Sequence, residues 1–175
     1  HLPELARLVE ACRVPELTER SLPACDAHFD DGVPGRKRSQ IEAFARHMPA
    51  ATSPVLEWCA GKGHLGRRVA LADRMPVISL ELDPKLCADA VRLAARQQMD
   101  QRVVCANALD EGSRAHVSGH AVLALHACGE LHRSLVRSAI TLLLQQPSLG
   151  LEAAIPYVFA GLKQPGVELL TELLD

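Results

Sequence analysis

Apolar positions recur along this chain at two different periods, and the change between them divides it. Over the first fifty residues the spacing is helical. Leu2, Leu5, Leu8, Val9 and Cys12 share one helix face, and Pro15 stops or turns the chain. A second helix is expected over about residues 15–28, kinked at Pro23 if it is continuous. Asp30-Asp31-Gly32-Val33-Pro34-Gly35 gives the strongest loop signal. A third helix then carries Ile41, Phe44, Ala45 and Met48 on one side and ends before Pro49.

The pattern changes at Val55. Val55-Leu56-Glu57-Trp58 reads as a short strand entering a glycine-rich loop over 59–66, with helix-forming residues from 65 to about 73. Residues 76–81 make a second strand, and 84–97 a helix with Leu86, Ala90, Leu93 and Ala94 on one side. A third strand is expected over 102–105. A fourth, over 121–125, is apolar throughout, as a central parallel strand covered on both faces should be. A helix spans 131–145; beyond it, 151–159 hold a fifth strand interrupted by Pro156, and 166–174 a closing helix. Strands alternating with helices predict the α/β class, with a doubly wound, mostly parallel sheet. Residues 1–50 are expected to form a helical segment, either a cap or packed on the sheet, and 51–175 the α/β domain.

Composition narrows the class without naming a chemistry. With 175 residues and 48% hydrophobic residues, the chain suits one globular domain. It contains no run of 18 apolar residues of the kind that spans a membrane. The opening residues lack the basic-then-apolar form of a signal peptide, so a soluble cytoplasmic protein, or a fragment of one, is expected. The six scattered cysteines fit reduced, buried small hydrophobes. A formal charge of −2 gives no global pull toward nucleic acid, so any such contact would be local. Cys59, His64, His126 and Cys128 could gather at one sheet edge, but without paired-ligand spacing no metal is expected.

The chemistry concentrates between Glu57 and Glu81. A loop from strand to helix must turn sharply and let a ligand approach its backbone, and Gly61, Gly63 and Gly66 permit both. The helix start beyond offers free N–H groups to an anionic ligand. Glu81 follows Gly61 by about twenty residues, the spacing at which an acid accepts ribose hydroxyls. Gly61-x-Gly63-x-x-Gly66 also matches the dinucleotide fingerprint, which keeps an NAD(P)-dependent oxidoreductase as an alternative. Glu57 favours a different ligand. An acid at the strand's carboxyl edge, four residues before the first glycine, suits a cofactor carrying an ammonium group, as S-adenosylmethionine does.

The run Glu57-Trp58-Cys59-Ala60-Gly61-Lys62-Gly63-His64-Leu65-Gly66 resembles the first motif of class I, Rossmann-like methyltransferases. With Leu125-His126-Ala127-Cys128-Gly129, it is similar to one branch that includes methyltransferase-like proteins and eukaryotic tRNA ribose 2′-O-methylases. The basic segment Arg36 to Glu42 also looks like that branch. The resemblance covers about residues 36–145. It implies S-adenosylmethionine as cofactor, with Glu57 and the backbone of Cys59, Ala60, Gly61 and Gly63 holding the methionine part, and His64 and Leu65 opening the helix beside it. It further implies Glu81 on the ribose, Leu82 against the adenine, and Asn107-Ala108 at the adenine amino edge. His126 is the candidate for positioning the acceptor or taking its proton. RNA is the implied substrate class, met through Arg36, Lys37, Arg38, Arg67 and Arg68. Two departures stand out: Cys59 replaces the usual first glycine, which is tolerable if its φ is negative, and no Pro-Cys-Cys motif follows on a fifth strand. A non-catalytic module that keeps the fold as a scaffold is a further alternative.

Overall fold

The computed structural model describes residues 19–26, 28–125, 127 and 129–145. Its elements alternate: α1 (Gly35–His47), β1 (Val55–Trp58), α2 (His64–Asp73), β2 (Val77–Glu81), α3 (Pro84–Arg96), β3 (Gln101–Cys105), α4 (Glu111–Arg114) running into a 3₁₀ turn (Ala115–Val117), β4 (Ala121–Leu123) and α5 (Glu130–Gln145). The four strands form one parallel sheet in the order β3-β2-β1-β4. The chain therefore winds outward from β1 through β2 to β3, then crosses back to place β4 on the other side of β1.

Local chemistry sets several of these boundaries. Pro84 opens α3 where a missing N–H costs nothing, and the Asp83 carboxylate accepts the Lys85 N–H at 2.8 Å as its cap. Gly63 caps α2 in the left-handed conformation, with φ +68°. Arg46 and His47 lie in the last turn of α1, where cations complement the exposed carbonyls.

Strand alternation divides the core into two layers. Val55, Val77 and Leu123 face Ile41 and Ala45 of α1 and Leu65 and Val69 of α2. Leu56, Trp58, Leu80 and Val122 face the other way, toward Ala108, Val117 and Leu135 of α5. Helix α1 is thus part of the sheet's own core. All four β1 side chains are buried, as a strand covered on both faces requires.

The helix expected over 15–28 does not form in its described part. Residues 19–26 are irregular. Tertiary bonds replace the helical ones: the Arg20 N–H donates to the Arg46 carbonyl at 2.9 Å, and its guanidinium pairs with Asp73 and donates to the Ala45 carbonyl. Asp73 also accepts the Ala51 N–H at 2.9 Å, so one buried carboxylate ties three segments together. The short α4 and its 3₁₀ turn carry no apolar periodicity to predict them. β4 ends at Leu123, two residues earlier than the apolar run. The expected first helix, fifth strand and closing helix lie outside the described residues.

Candidate functional site

In a doubly wound sheet, ligands bind beyond the carboxyl ends of the strands where the winding reverses. Here that point is the end of β1, between β2 and β4. A cavity of about 180 Å³ opens there, lined by Lys37 and Ile41 of α1, Glu57 and Trp58 of β1, the Cys59-Ala60-Gly61 turn, Leu65 and Leu125. Trp58 is fully buried in its wall, and its Nε1–H finds no acceptor among the described residues.

Glu57 forms the floor. Its side chain lies on the α2 side of the sheet, only 4% exposed, and its Oε2 accepts the Ser79 hydroxyl at 2.9 Å. Burial pushes its carboxyl up to about 7, against the opposing pull of the Ser79 hydroxyl, the Gly66 N–H and the nearby charges of Arg67 and Lys37. Gly66 makes this packing feasible: a Cβ there would stand 2.6 Å from Glu57 Oε2 and 2.7 Å from Val77 Cγ1. The third glycine of the motif is therefore a matter of close contact between helix and strand.

The turn itself is stretched between fixed points. The Ala60 N–H donates to the Leu80 carbonyl and the Gly63 N–H to the Ala60 carbonyl, both at 2.9 Å. The Gly61 N–H donates to Glu81 Oε2 at 2.7 Å, while the Asp83 N–H donates to Oε1 at 3.0 Å. Each Glu81 oxygen retains a free lone pair. Cys59 has φ +57°, so the negative value under which the replacement of glycine is tolerated without strain is not the one the turn adopts. The turn keeps its left-handed geometry although a residue with a Cβ occupies the position; such a placement costs about 1–2 kcal/mol.

Behind the turn lies a buried polar network. Arg67, 1% exposed, donates to the Lys62 carbonyl at 2.8 Å, to Gln101 Oε1 at 3.1 Å and to His64 Nδ1 at 2.8 Å. Gln101 donates in turn to the Ser79 hydroxyl at 2.6 Å, which closes a chain of contacts from Arg67 to Glu57. Burial and the cations Arg67, Lys37 and Lys62 hold His64 down at about 4, so at neutral pH its Nδ1 is free to accept from Arg67. His64 is one of the expected cofactor residues, yet its side chain turns to Arg67 and does not line the cavity; Leu65 does. The ligand-facing part of His64 is limited to the helix start.

The second half of the expected site follows β2 and β3. Leu82 is 62% exposed and Leu109 44%, two apolar side chains left uncovered at the same sheet edge. Asn107 Oδ1 accepts the Leu109 N–H at 3.0 Å and its Nδ2 donates to Asp110 at 3.0 Å. Ala108 is buried against Leu56 and Val117, so its methyl group belongs to the core and only its backbone remains for a ligand. His126 lies outside the described residues.

The basic residues do not form the shared surface expected of them. Arg68 is 3% exposed and pairs with Glu42, and Arg67 is buried as described, so neither can meet a phosphate. Their helix presents both inward: Arg68 lies three residues from Leu65, on its face. Arg36 and Arg38 stay exposed, Arg38 pairing with Asp30 at 2.7 Å, while Lys37 turns into the cavity. Among the described residues no cluster of histidine, cysteine or carboxylate side chains is placed to hold a metal, and no helix is long and apolar enough to cross a membrane. A larger cavity, about 610 Å³, opens beside the C-terminus of α3 and is lined by His28, Phe29, Asp31, Arg96 and Met99. Its charged groups satisfy one another, with Asp31 accepting from both His28 and Arg96 at 3.2 Å, so the chemistry stays with the smaller one.

The sequence profile of the family described as Methyltransferase domain matches residues 36–146. The chain belongs to that family. The matched stretch runs from the basic start of α1 to the end of α5, and so takes in every described residue of the crevice. Among solved structures, the methyltransferase domain is similar to fibrillarin of Aeropyrum pernix in complex with S-adenosyl-L-methionine, at 18% identity over 50% of this chain and 40% of that one, with a TM-score of 0.43. It is also similar to TYW2 of P. horikoshii in complex with MeSAdo (20% identity, 41% of this chain, 28% of that one, TM-score 0.37). A geranyl diphosphate methyltransferase in complex with GPP and sinefungin gives 17% identity over 77% of this chain and 55% of that one, with a TM-score of 0.47. The chain therefore spans less than two thirds of the length of these structures. A search of curated proteins found no match.

Proposed function

We propose that this methyltransferase domain binds S-adenosylmethionine in the crevice at the end of β1 and transfers its methyl group to an oxygen or nitrogen nucleophile, with RNA as the acceptor class. The observation that carries the reading is the buried Glu57 carboxylate on the crevice floor. Dinucleotides bring a pyrophosphate to this position, which a carboxylate repels; an amino-acid tail brings an ammonium, which it attracts. The donor set fits throughout. Glu57 would hold the ammonium, the Cys59–Gly61 backbone would pass under the tail, Glu81 would accept ribose hydroxyls on its free lone pairs, and Leu82 would lie against the base.

Bound there, S-adenosylmethionine supplies a methyl group already activated by its sulfonium. The chain's own residues then have to hold donor and acceptor in line and keep water out, an effect worth several kcal/mol. His126, in the stretch after β4, is the residue the sequence offers for an acceptor that must lose a proton. RNA rests on the branch that the motifs resemble, with Arg36 and Arg38 as the remaining exposed cations of the group first assigned to it.

Titrating S-adenosylhomocysteine and NADH side by side into the whole chain tests the reading, with Glu81→Ala as control. Tight binding of S-adenosylhomocysteine, lost in the variant, is expected; preference for NADH rejects the proposal. Incubating cellular RNA and protein fractions with isotopically labelled methyl donor then reads the acceptor. Label confined to protein would move the acceptor class away from RNA.

A further inference from the structure

We propose that Cys87 and Cys105 form a dithiol switch: a hydroperoxide joins them as a disulfide, and that bond weakens the nucleoside site built on the ends of β2 and β3. The dithiol stands on the placement of the two side chains, and its effect on binding rests on the cofactor reading above. Cys105 ends β3, and Cys87 lies in the first turn of α3, the helix that connects β2 to β3. Across the sheet, Cys105 is the strand partner of Glu81. The Cys87 thiol donates to the Glu81 carbonyl at 3.4 Å, and the Cys105 thiol to the Leu82 carbonyl at 3.7 Å. Two cysteines far apart in sequence thus converge on neighbouring carbonyls of one dipeptide.

The pair differs from the other described cysteines. Cys25 and Cys59 have no thiol among the described groups that act on them, whereas Cys87 has Cys105 as a hydrogen-bonding neighbour. Burial first, and then that neighbour, push the Cys87 thiol up to about 11, so alone it stays protonated and inert at neutral pH. Cys105 is exposed, against the expectation that the cysteines are buried small hydrophobes, and an oxidant meets it directly. An accessible thiol with a second thiol poised to resolve it is the arrangement of a reversible redox sensor.

The chemistry balances with hydrogen peroxide as the oxidant. Cys105, as its thiolate, attacks one peroxide oxygen; the S–O bond forms, the O–O bond breaks, and the hydroxide that leaves takes up the proton Cys105 gave away. The Cys87 sulfur then attacks Cys105 Sγ. The S–S bond forms, the S–O bond breaks, and the departing hydroxide takes the Cys87 proton as water. The two thiols lose two electrons, and the peroxide is reduced to two waters. A disulfide holds its sulfurs at about 2 Å, far closer than thiols in contact. Both donors are therefore withdrawn from the 81–82 carbonyls, and the end of β3 is drawn toward α3. Leu82, and Asn107-Ala108 just beyond Cys105, are the parts proposed to meet the adenine, so the bond reshapes that half of the crevice.

The test treats the whole chain with hydrogen peroxide or with dithiothreitol, maps disulfides by mass spectrometry of non-reduced peptides, and measures the dissociation constant of S-adenosylhomocysteine in each state. A Cys87–Cys105 bond is expected in the oxidised sample. The dissociation constant should rise by about 5- to 50-fold, a usual size for coupling between two sites, and return with dithiothreitol. Cys105→Ser and Cys87→Ser should each bind as the reduced wild type does and no longer respond to peroxide; Cys105, being exposed, gives the variant that is safe for folding. Absence of the bond, or cysteines joined in other pairs only, overturns the proposal. A bond that forms with the affinity unchanged overturns the switch and leaves the nucleoside site standing. A reduced wild type that does not bind S-adenosylhomocysteine overturns the cofactor reading and the effect on binding together, while the peptide map still decides the dithiol.

Discussion

An ordinary glutamate is ionised throughout the neutral range, but burial pushes Glu57 up to about 7, so its charge is in play where the protein would work. Only the ionised form attracts an ammonium. The affinity for S-adenosylhomocysteine should therefore fall as pH drops below 7, approaching about tenfold per unit. Calorimetric titrations at pH 6 and 7.5 would read this, and Glu57→Gln should bind weakly at both with the pH step gone. Cys59 makes a second prediction at this scale. Cys59→Ala and Cys59→Gly both lose the thiol, but only glycine relaxes φ +57°, so the glycine variant should be the more stable by about 1 kcal/mol in urea unfolding. That conformation was not legible in the sequence, because residue identity biases φ without fixing it, and here the bonds from Ala60 to Leu80 and from Gly61 to Glu81 fix it. The inward turn of Arg68 left a signal, since it shares a helix face with Leu65; for Arg67 the partner His64 lies one turn earlier on the same helix, but Gln101 reaches it only in the fold.

Helix α2 and strand β1 approach so closely that one hydrogen matters. Gly66→Ala would drive a methyl group into Glu57 and Val77, both buried, and should cost about 1–3 kcal/mol of stability, measured by chemical denaturation. The same variant should weaken S-adenosylhomocysteine binding, because the displaced group is the crevice floor. Elements were read well from the sequence where apolar periodicity and turn chemistry agreed. The four strands and helices α2 and α3 begin and end within about two residues of the expected positions, because Pro84, Gly63 and the apolar runs act locally. Residues 19–26 failed for the opposite reason: their structure is set by Asp73 and α1, far away in sequence. The small α4 has no core-facing stripe to announce it.

At the scale of the molecule, the parallel order β3-β2-β1-β4 follows from strand and helix alternation, and it alone places the crevice. Which side of the sheet received each charged residue was less legible, since it depends on the packing of α1 and α2 together. One consequence is a link between acidity and folding. His64 is held down at about 4 in the folded chain, below its unfolded value, so its neutral form contributes stability that is present above about pH 6.5 and lost as pH falls through 4. His64→Asn keeps an acceptor for Arg67 without titrating there. Its urea midpoint should fall less between pH 7 and 4.5 than that of the wild type; parallel curves would remove His64 from the acid response. Finally, the turn is tied to β2 by a bond the chain makes with itself, from the Gly61 N–H to Glu81. In the site proposed above, the sugar would meet a turn braced from within, so a bare adenosine is expected to bind weakly at the half of the pocket that needs no tail.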